Sequence, residues 1–511
     1  MDTDRMVKAM ARWWQIGKNV SDEEGDVNSR NPMLYDPLHE SKTTKTMQYV
    51  AAILICFGAI SAGTALAWTS PVIPQLEKPD NVSEATNATN GEFYLTSDQT
   101  SWVGSLLAIG AMFGAIPAGY LADKIGRKYT AILMDIPFIV SLLILRYATS
   151  AAMLYAGRFL IGISTGSFCV VAPMYISEIA ETNIRGQLGT FFQLSLTIGI
   201  LITNFVGALV DWVALSTICL LFPAILLIAM FFLPETPTYL IKKGRRGDAG
   251  LSLKWLWGRE CDTRSTLQFL QTELESSAGN VRVSDLFTIK ANRVGMMISL
   301  SLMAFQQLSG INAVIFYTVP IFKSAGSTMD ASVCGIIVSA VQVLMTFGSS
   351  LLIERAGRKV LLLISSAVMG FCLFVLGVYF HLKDNGHNVA FIGWIPLLSV
   401  ILFIVTFSIG FGPIPWLMMG ELFLPDYKGV ASSLSVTFNW VGVFVVTKCF
   451  SKMVESWGSD ITFWFFGVCM VAGTAFVATK VFETKGKNST QIQILLSGTK
   501  GDFEAQSQLV E

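Results

Sequence analysis

Charge is scarce in this chain. Asp, Glu, Lys and Arg make up 14% of its 511 residues, against about 25% in soluble proteins. The formal net charge is zero, so nothing global points to nucleic acid as a partner. All three histidines, His39, His381 and His387, fall outside the apolar runs, which leaves no histidine relay for moving protons through them. Most of the eight cysteines, such as Cys56, Cys169, Cys219, Cys334, Cys449 and Cys469, lie inside apolar runs, and Cys261 lies in a loop. No pair falls in the loops expected outside, so no disulfide framework is implied, and the thiols read as small apolar packers. There is no G-x4-G-K-[ST] phosphate loop of the kind an ATP-driven pump carries, and no cofactor or metal is implied. Met1 to Thr46 is polar and the first apolar run is already a full span, so no cleavable signal peptide is apparent.

Apolar length takes the place of charge. The chain is 52% hydrophobic, and twelve runs stand out at about 49–69, 101–121, 129–148, 153–176, 187–208, 212–233, 294–317, 332–353, 360–380, 395–417, 431–450 and 461–481. Each is long enough to cross a ~30 Å hydrocarbon core as helix. The expectation is an all-α polytopic protein whose partner is the lipid bilayer. Basic clusters occupy alternate connections, including Lys124/Arg127/Lys128, Lys242 through Arg246 and Arg355/Arg358/Lys359. The positive-inside tendency makes those connections cytosolic and puts both termini in the cytosol.

Two connections are long. Residues 75–98, expected outside, hold Asn81-Val82-Ser83 and Asn87-Ala88-Thr89, both acceptor patterns for N-glycosylation. Residues 234–293 alternate polar and apolar positions in the manner of short amphipathic helices. The expected segments are therefore a tail at 1–47, six spans in 48–233, a cytosolic helical loop at 234–293, six spans in 294–482 and a tail at 483–511. In the first tail, Tyr35-Asp36-Pro37-Leu38 fits a tyrosine-based endocytic signal.

The charges also repeat. Residues 121–128 read LADKIGRK and residues 352–359 read LIERAGRK, with Asp123 and Glu354 separated by 231 positions. Glu178 through Arg185-Gly186 is answered by Glu421 through Lys428-Gly429, with the same Glu-x6-basic-Gly spacing. Pro234-Glu235-Thr236 is answered by Phe482-Glu483-Thr484. Three marks recurring in one order identify duplicated six-helix units, the parallel repeat used for alternating access. In such a machine the cytosolic helix ends must join in one state and part in another. Asp123, Arg127, Glu178, Arg185, Glu354, Arg358, Glu421 and Lys428 are the expected gate, since charge pairs are comparable in strength to the gaps between such states. The glycines at the two turns, Gly126 and Gly357, permit the tight reversal.

These motifs resemble a known family. Gly119-x3-Asp123-x2-Gly126-Arg127-Lys128 resembles the signature of the major facilitator superfamily. GRFLIG around Arg158, PMYISEIAETNIRG at 173–186, PETP at 234–237, QQLSGIN at 306–312, GFGPIPW at 410–416 and ETKG at 483–486 resemble its sugar porters. Residues 405–421 and 438–448 look most like the insect facilitated trehalose transporters. The resemblance implies two six-helix bundles with a small-molecule sugar held at the midplane between them.

A sugar offers many hydroxyls and no charge, so amides and aromatic faces suit it, and polar groups within spans mark pathways. The amides are Gln193, Gln306, Gln307, Asn312, Gln342 and Asn439. The resemblance assigns sugar contacts to Gln193, Gln306, Gln307, Asn312, Trp416, Asn439 and its neighbour Trp440. Two departures stand out: Ser408 replaces a glutamate of mammalian-type hexose facilitators, and Gln342 replaces an asparagine. Both alter the pocket and favour a disaccharide. Gly410, Gly412, Pro413 and Pro415 interrupt span 10, which supports a bend able to gate. Proton-linked relatives place an aspartate in span 1, whereas the stretch 47–74 holds no ionisable side chain except Tyr49. Asp135, inside span 3, is expected to snorkel or bond an amide, and Lys448 in span 11 to reach headgroups. The reading is a facilitative trehalose carrier in the plasma membrane and not an enzyme, with a glucose facilitator, a proton symporter and a non-transporting sensor as rivals.

Overall fold

The computed structural model describes residues 44–76, 94–276, 284–325, 330–423, 425–485, 487 and 489–497, apart from a few side chains within helices. The two acceptor asparagines, Asn81 and Asn87, and the tyrosine signal lie outside the described residues. Among the described residues, twelve helical stretches are long and apolar enough to cross a membrane. They are span 1 Thr46–Leu76, span 2 Ser97–Ile125, span 3 Arg127–Arg146, span 4 Ala151–Ile179, span 5 Gln187–Gly207 and span 6 Trp212–Phe232. Span 7 Lys290–Phe316, span 8 Ala331–Ser349, span 9 Arg358–Asp384, span 10 Ile395–Glu421, span 11 Val430–Trp457 and span 12 Ser459–Lys480 follow. Large apolar side chains such as Phe113, Ile228, Phe371 and Val471 stand exposed on the span surfaces, as a hydrocarbon solvent favours.

Local chemistry sets the ends. Thr96 caps span 2, its hydroxyl accepting from the Gln99 amide while the Gln99 side chain accepts from the Thr96 amide, so two otherwise orphaned donors are satisfied. The turns into spans 3 and 9 pass through Gly126 at φ 103° and Gly357 at φ 85°, a region side chains avoid. A Cβ would also lie 2.1 Å from the Glu235 carboxylate at the first turn and 2.7 Å from that of Glu483 at the second. Spans 2 and 4 cross closely at Gly110 and Gly162, whose Cα atoms would sit about 3.0 Å from any added Cβ.

Spans 2 and 11 form one seam between the halves, and spans 5 and 8 the other. Both G-R-K turns lie at one end of the bundle, called here the basic end. Short helices Pro237–Lys242, Arg246–Trp257, Thr263–Ser276 and Asp285–Thr288 connect the halves there. The Trp257 indole donates to the Ile179 carbonyl at 3.0 Å, which fastens the second of these helices under span 4. A helix over Ser489–Ser497, within the stretch expected to be only a tail, packs against span 7. Ile492 and Leu496 are buried, and Gln493 donates to the Leu422 carbonyl at 2.8 Å.

Candidate functional site

The neutral polar residues lie in the interiors of spans 5, 7, 8, 10 and 11. Gln306 is buried, and its amide nitrogen donates to two carbonyls, Phe411 at 2.6 Å and Gly412 at 3.1 Å. Its oxygen accepts from the Asn439 amide at 2.9 Å. Asn312 donates to the Gln307 side chain at 2.5 Å. Gln193 and Trp416 are half-buried and Gln342 is buried, and none has a side-chain hydrogen bond to another described residue. Ser408 Oγ and Trp440 Nε1 are buried without a hydrogen-bond partner among the described residues. Span 10 does break as its glycines and prolines imply: helix runs over Ile395–Ile409 and resumes over Ile414–Glu421.

At the basic end the two halves build the same network twice. The Arg127 guanidinium meets Glu178 at 2.8 Å and Asp123 at 3.1 Å, and Thr236 donates to the other Glu178 oxygen at 2.6 Å. In the second half Arg358 meets Glu421 at 3.0 Å, and Thr484 donates to Glu421 at 2.5 Å. Glu235 receives the backbone amides of Arg127 and Lys128, and Glu483 those of Arg358 and Lys359. Each carboxylate thus sits on the orphan donors at the start of a span, where the helix dipole favours negative charge. Each of these described contacts lies within one half. Arg185 is exposed, and the side chains of Glu354 and Lys428 are not described.

The opposite, far end carries contacts between halves. The Lys448 ammonium of span 11 meets Asp98 of span 2 at 3.1 Å and lies 4.1 Å from the Trp102 ring centroid. This corrects the expectation that Lys448 reaches headgroups: the pairing and the ring hold it in the seam. Ser101 donates to the Lys448 carbonyl at 3.1 Å. On the other seam, Asn204 of span 5 donates to Ser339 of span 8 at 2.6 Å. Thr69 donates to the Phe316 carbonyl at 3.3 Å, and the Val319 amide to Ser70 at 3.4 Å. A cavity of about 310 Å³ opens at this end between Ser97 and Thr100 of span 2 and Tyr317, Phe450 and Phe463 of the second half. It lies away from the amides of the span interiors.

Asp135 also departs from expectation. It is fully buried, and neither carboxyl oxygen has a partner among the described residues, so it neither snorkels nor bonds an amide. It shares a buried face of span 3 with Ala131, Phe138 and Leu142. Arg158, quoted in the sequence only as part of a motif, is fully buried in span 4. It donates to the carbonyls of Val103 at 2.9 Å and Ala65 at 2.7 Å and stands 5.6 Å from the Trp68 ring. It stitches spans 1 and 2 to span 4, and its signal was a lone cation inside an apolar run.

Residues 51–496 match the family described as sugar (and other) transporter. The chain belongs to the sugar transporter family. Among its curated relatives, the facilitated trehalose transporter Tret1 of Culex quinquefasciatus is 40% identical over 454 residues, covering 88% of this chain and 86% of that protein. The Tret1 of Drosophila pseudoobscura pseudoobscura is also 40% identical over 454 residues, but there the match covers 51% of the relative. The chain thus spans about half the length of several curated relatives it matches. In fold, this sugar transporter family member is similar to the E. coli xylose transporter XylE in a partially occluded inward-open conformation. The TM-score is 0.72 at 22% identity, over 87% of this chain and all of that one. A second XylE structure, of the proton:xylose symporter bound to 6-bromo-6-deoxy-D-glucose, gives 0.72 at 22% identity over 89% of this chain.

Proposed function

We propose that this family member carries trehalose down its gradient across the plasma membrane by alternating access, with the basic end and both termini in the cytosol. The observation that carries the reading is the chemistry of the span interiors. Gln193, Gln307, Asn312, Gln342, Trp416 and Trp440, with Gln306 and Asn439, offer neutral donors, acceptors and aromatic faces, which suit an uncharged polyol. The likeness to trehalose transporters across most of the chain supports the choice of sugar. The duplicated charged networks serve the cytosolic gate by holding the ends of each half in shape.

Uptake of labelled trehalose and labelled glucose, compared in oocytes expressing the chain, tests this. Saturable trehalose uptake with little glucose uptake is expected, unaffected by collapsing the proton gradient. Glucose uptake alone would overturn the disaccharide assignment. One observation favours a second reading: the buried Asp135, without a partner among the described residues, could carry a proton. Uptake that falls with the proton gradient, and loses that dependence in Asp135→Asn, would replace facilitated diffusion with symport.

A further inference from the structure

The break in span 10 is repaired by its neighbours, and Gln306 makes the central repair. In an uninterrupted helix the Phe411 carbonyl would accept from the amide of residue 415. That residue is Pro415, which has no N–H. The Gln306 amide supplies the missing donor at 2.6 Å and reaches the Gly412 carbonyl at 3.1 Å with the same nitrogen. The Phe411 amide, also out of the helical ladder, donates to Ser365 Oγ of span 9 at 3.2 Å. Asn439 of span 11 holds the Gln306 oxygen at 2.9 Å. The bend is therefore held from spans 7 and 9, with span 11 steadying the amide that does it.

A primary amide has two N–H donors, and both of those on Gln306 are engaged on span 10. No donor remains for a sugar hydroxyl while the bend keeps this form. We propose that Gln306 is a switch between substrate and hinge: it splints the break of span 10 in this state, and a sugar hydroxyl that takes one of its donors releases the splint. The segment set free is Ile414–Glu421. It carries Trp416, one of the expected sugar contacts, and ends in Glu421, whose carboxylate is bound by Arg358 and Thr484 at the basic end. Occupancy of the interior thereby reaches the charged network through one short helix. A ligand shifts a conformational equilibrium only through its differential interaction with the two states, and a donor that must leave span 10 to meet the sugar supplies that difference. This rests on the sugar-carrier reading for its ligand, but the splint itself does not.

The test places a cysteine at Met419 (Met419→Cys) and follows its labelling rate with a charged maleimide from the basic end, against the parent chain as background. Without sugar, adding Gln306→Glu, which keeps size but deletes both donors, should change the rate by roughly thirtyfold, the effect of losing two net hydrogen bonds at about fivefold each. Ser365→Ala, which touches the break but not the amide cluster, should move the rate in the same direction. It also serves as the control should Gln306→Glu fold poorly. Saturating trehalose should shift the rate in the Met419→Cys chain alone and add nothing in the Gln306→Glu background. In transport, Gln306→Glu should alter the maximal rate as well as KM. A raised KM with an unchanged maximal rate and unchanged sugar-free labelling would overturn the switch and leave Gln306 a plain sugar ligand. If sugar-free labelling responds as expected while trehalose has no effect in any chain, the splint stands and the choice of sugar fails.

Discussion

The two ends of the molecule use polar groups in opposite ways. At the basic end, buried arginines and their carboxylates pair within each half: Arg127 with Glu178, Arg358 with Glu421. At the far end the contacts among the described residues run from one half to the other and are lighter: an ion pair with a half-exposed partner, whose ammonium also faces Trp102, an amide–hydroxyl bond and three hydrogen bonds that involve backbone atoms. Deeply buried pairs with further hydrogen bonds hold firm geometry, whereas exposed pairs contribute only about 0–1 kcal/mol each. The basic end is thus built as two rigid copies of one cassette, and the far end as a closure that can be undone. On the proposed carrier reading the far end must reopen, and weak closing contacts keep that equilibrium easy to shift.

The largest effect is expected where a cassette is broken. Glu178→Ala takes from Arg127, only 2% exposed, its 2.8 Å partner and leaves Thr236 without its acceptor. The loss should approach ~3 kcal/mol of stability, the scale for removing one member of a buried pair. It would be seen as a fall in apparent Tm of the detergent-solubilised protein and reduced surface expression. A Glu178→Gln chain, which keeps an acceptor for the guanidinium, should recover part of the fall. Glu421→Ala should behave alike in the second half. A far smaller effect in both halves would mean that the cassettes are not what holds the basic end.

A middling effect is expected at the far end. Lys448→Met removes the contact with Asp98, whose side chain is 59% exposed, so the ion pair is worth at most about 1 kcal/mol, and the Trp102 contact adds a similar amount. The two together should let the far end open up to roughly 30-fold more often, measured by labelling of a cysteine placed at Thr100 from that side. Added salt should mimic the substitution in the parent chain and do nothing in Lys448→Met. On the other seam, Asn204→Ala should also loosen the closure, but without salt dependence, because its bond to Ser339 is between neutral groups. Equal salt sensitivity of the two variants would erase the distinction between the seams.

Much of this was legible in the sequence because it is written along the chain. Twelve apolar runs, the break in span 10 and the repeated G-R-K turns need only local composition and spacing. What could not be read is which face of a helix meets which neighbour. Hydropathy placed Lys448 within span 11, but its choice between headgroups and Asp98 depends on spans 2 and 11 packing together. Asp135 shows the same limit, since a carboxylate two turns into a span snorkels or is sealed in according to the face it occupies. Gln306 was legible as a polar group worth explaining. That it repairs the carbonyl orphaned by Pro415 needed the crossing of spans 7 and 10. The helix at Ser489–Ser497 was missed because nine residues carry too little periodicity to stand out.

The smallest effect separates the two copies of the cassette from each other. Glu235 and Glu483 hold equivalent places, each capping the span after a G-R-K turn, but their surroundings differ. Burial pushes the Glu235 carboxyl above its ordinary value of 4.5, despite the amides of Thr236, Lys128 and Arg127 and the charge of Arg127. Burial pushes Glu483 upward as well, but the amides of Lys485, Arg358, Lys359 and Thr484 together outweigh it and hold it below 4.5. The signs of their contributions to stability are therefore opposite. Glu235, with its raised value, contributes stability that is fully present below pH 4.5 and is lost as pH rises through the folded-state value. Glu483, with its lowered value, contributes stability that is present above pH 4.5 and is lost as pH falls through its folded-state value. Above pH 4.5, Glu235→Gln should flatten the dependence of Tm on pH, while Glu483→Gln should leave that window alone and act below it. Because Glu483 is ionised and bonded at neutral pH, its replacement should also lower Tm there more than that of Glu235. If the two variants gave the same profile, the cassettes would be equivalent in chemistry as well as in shape, and both halves would respond to acid as one.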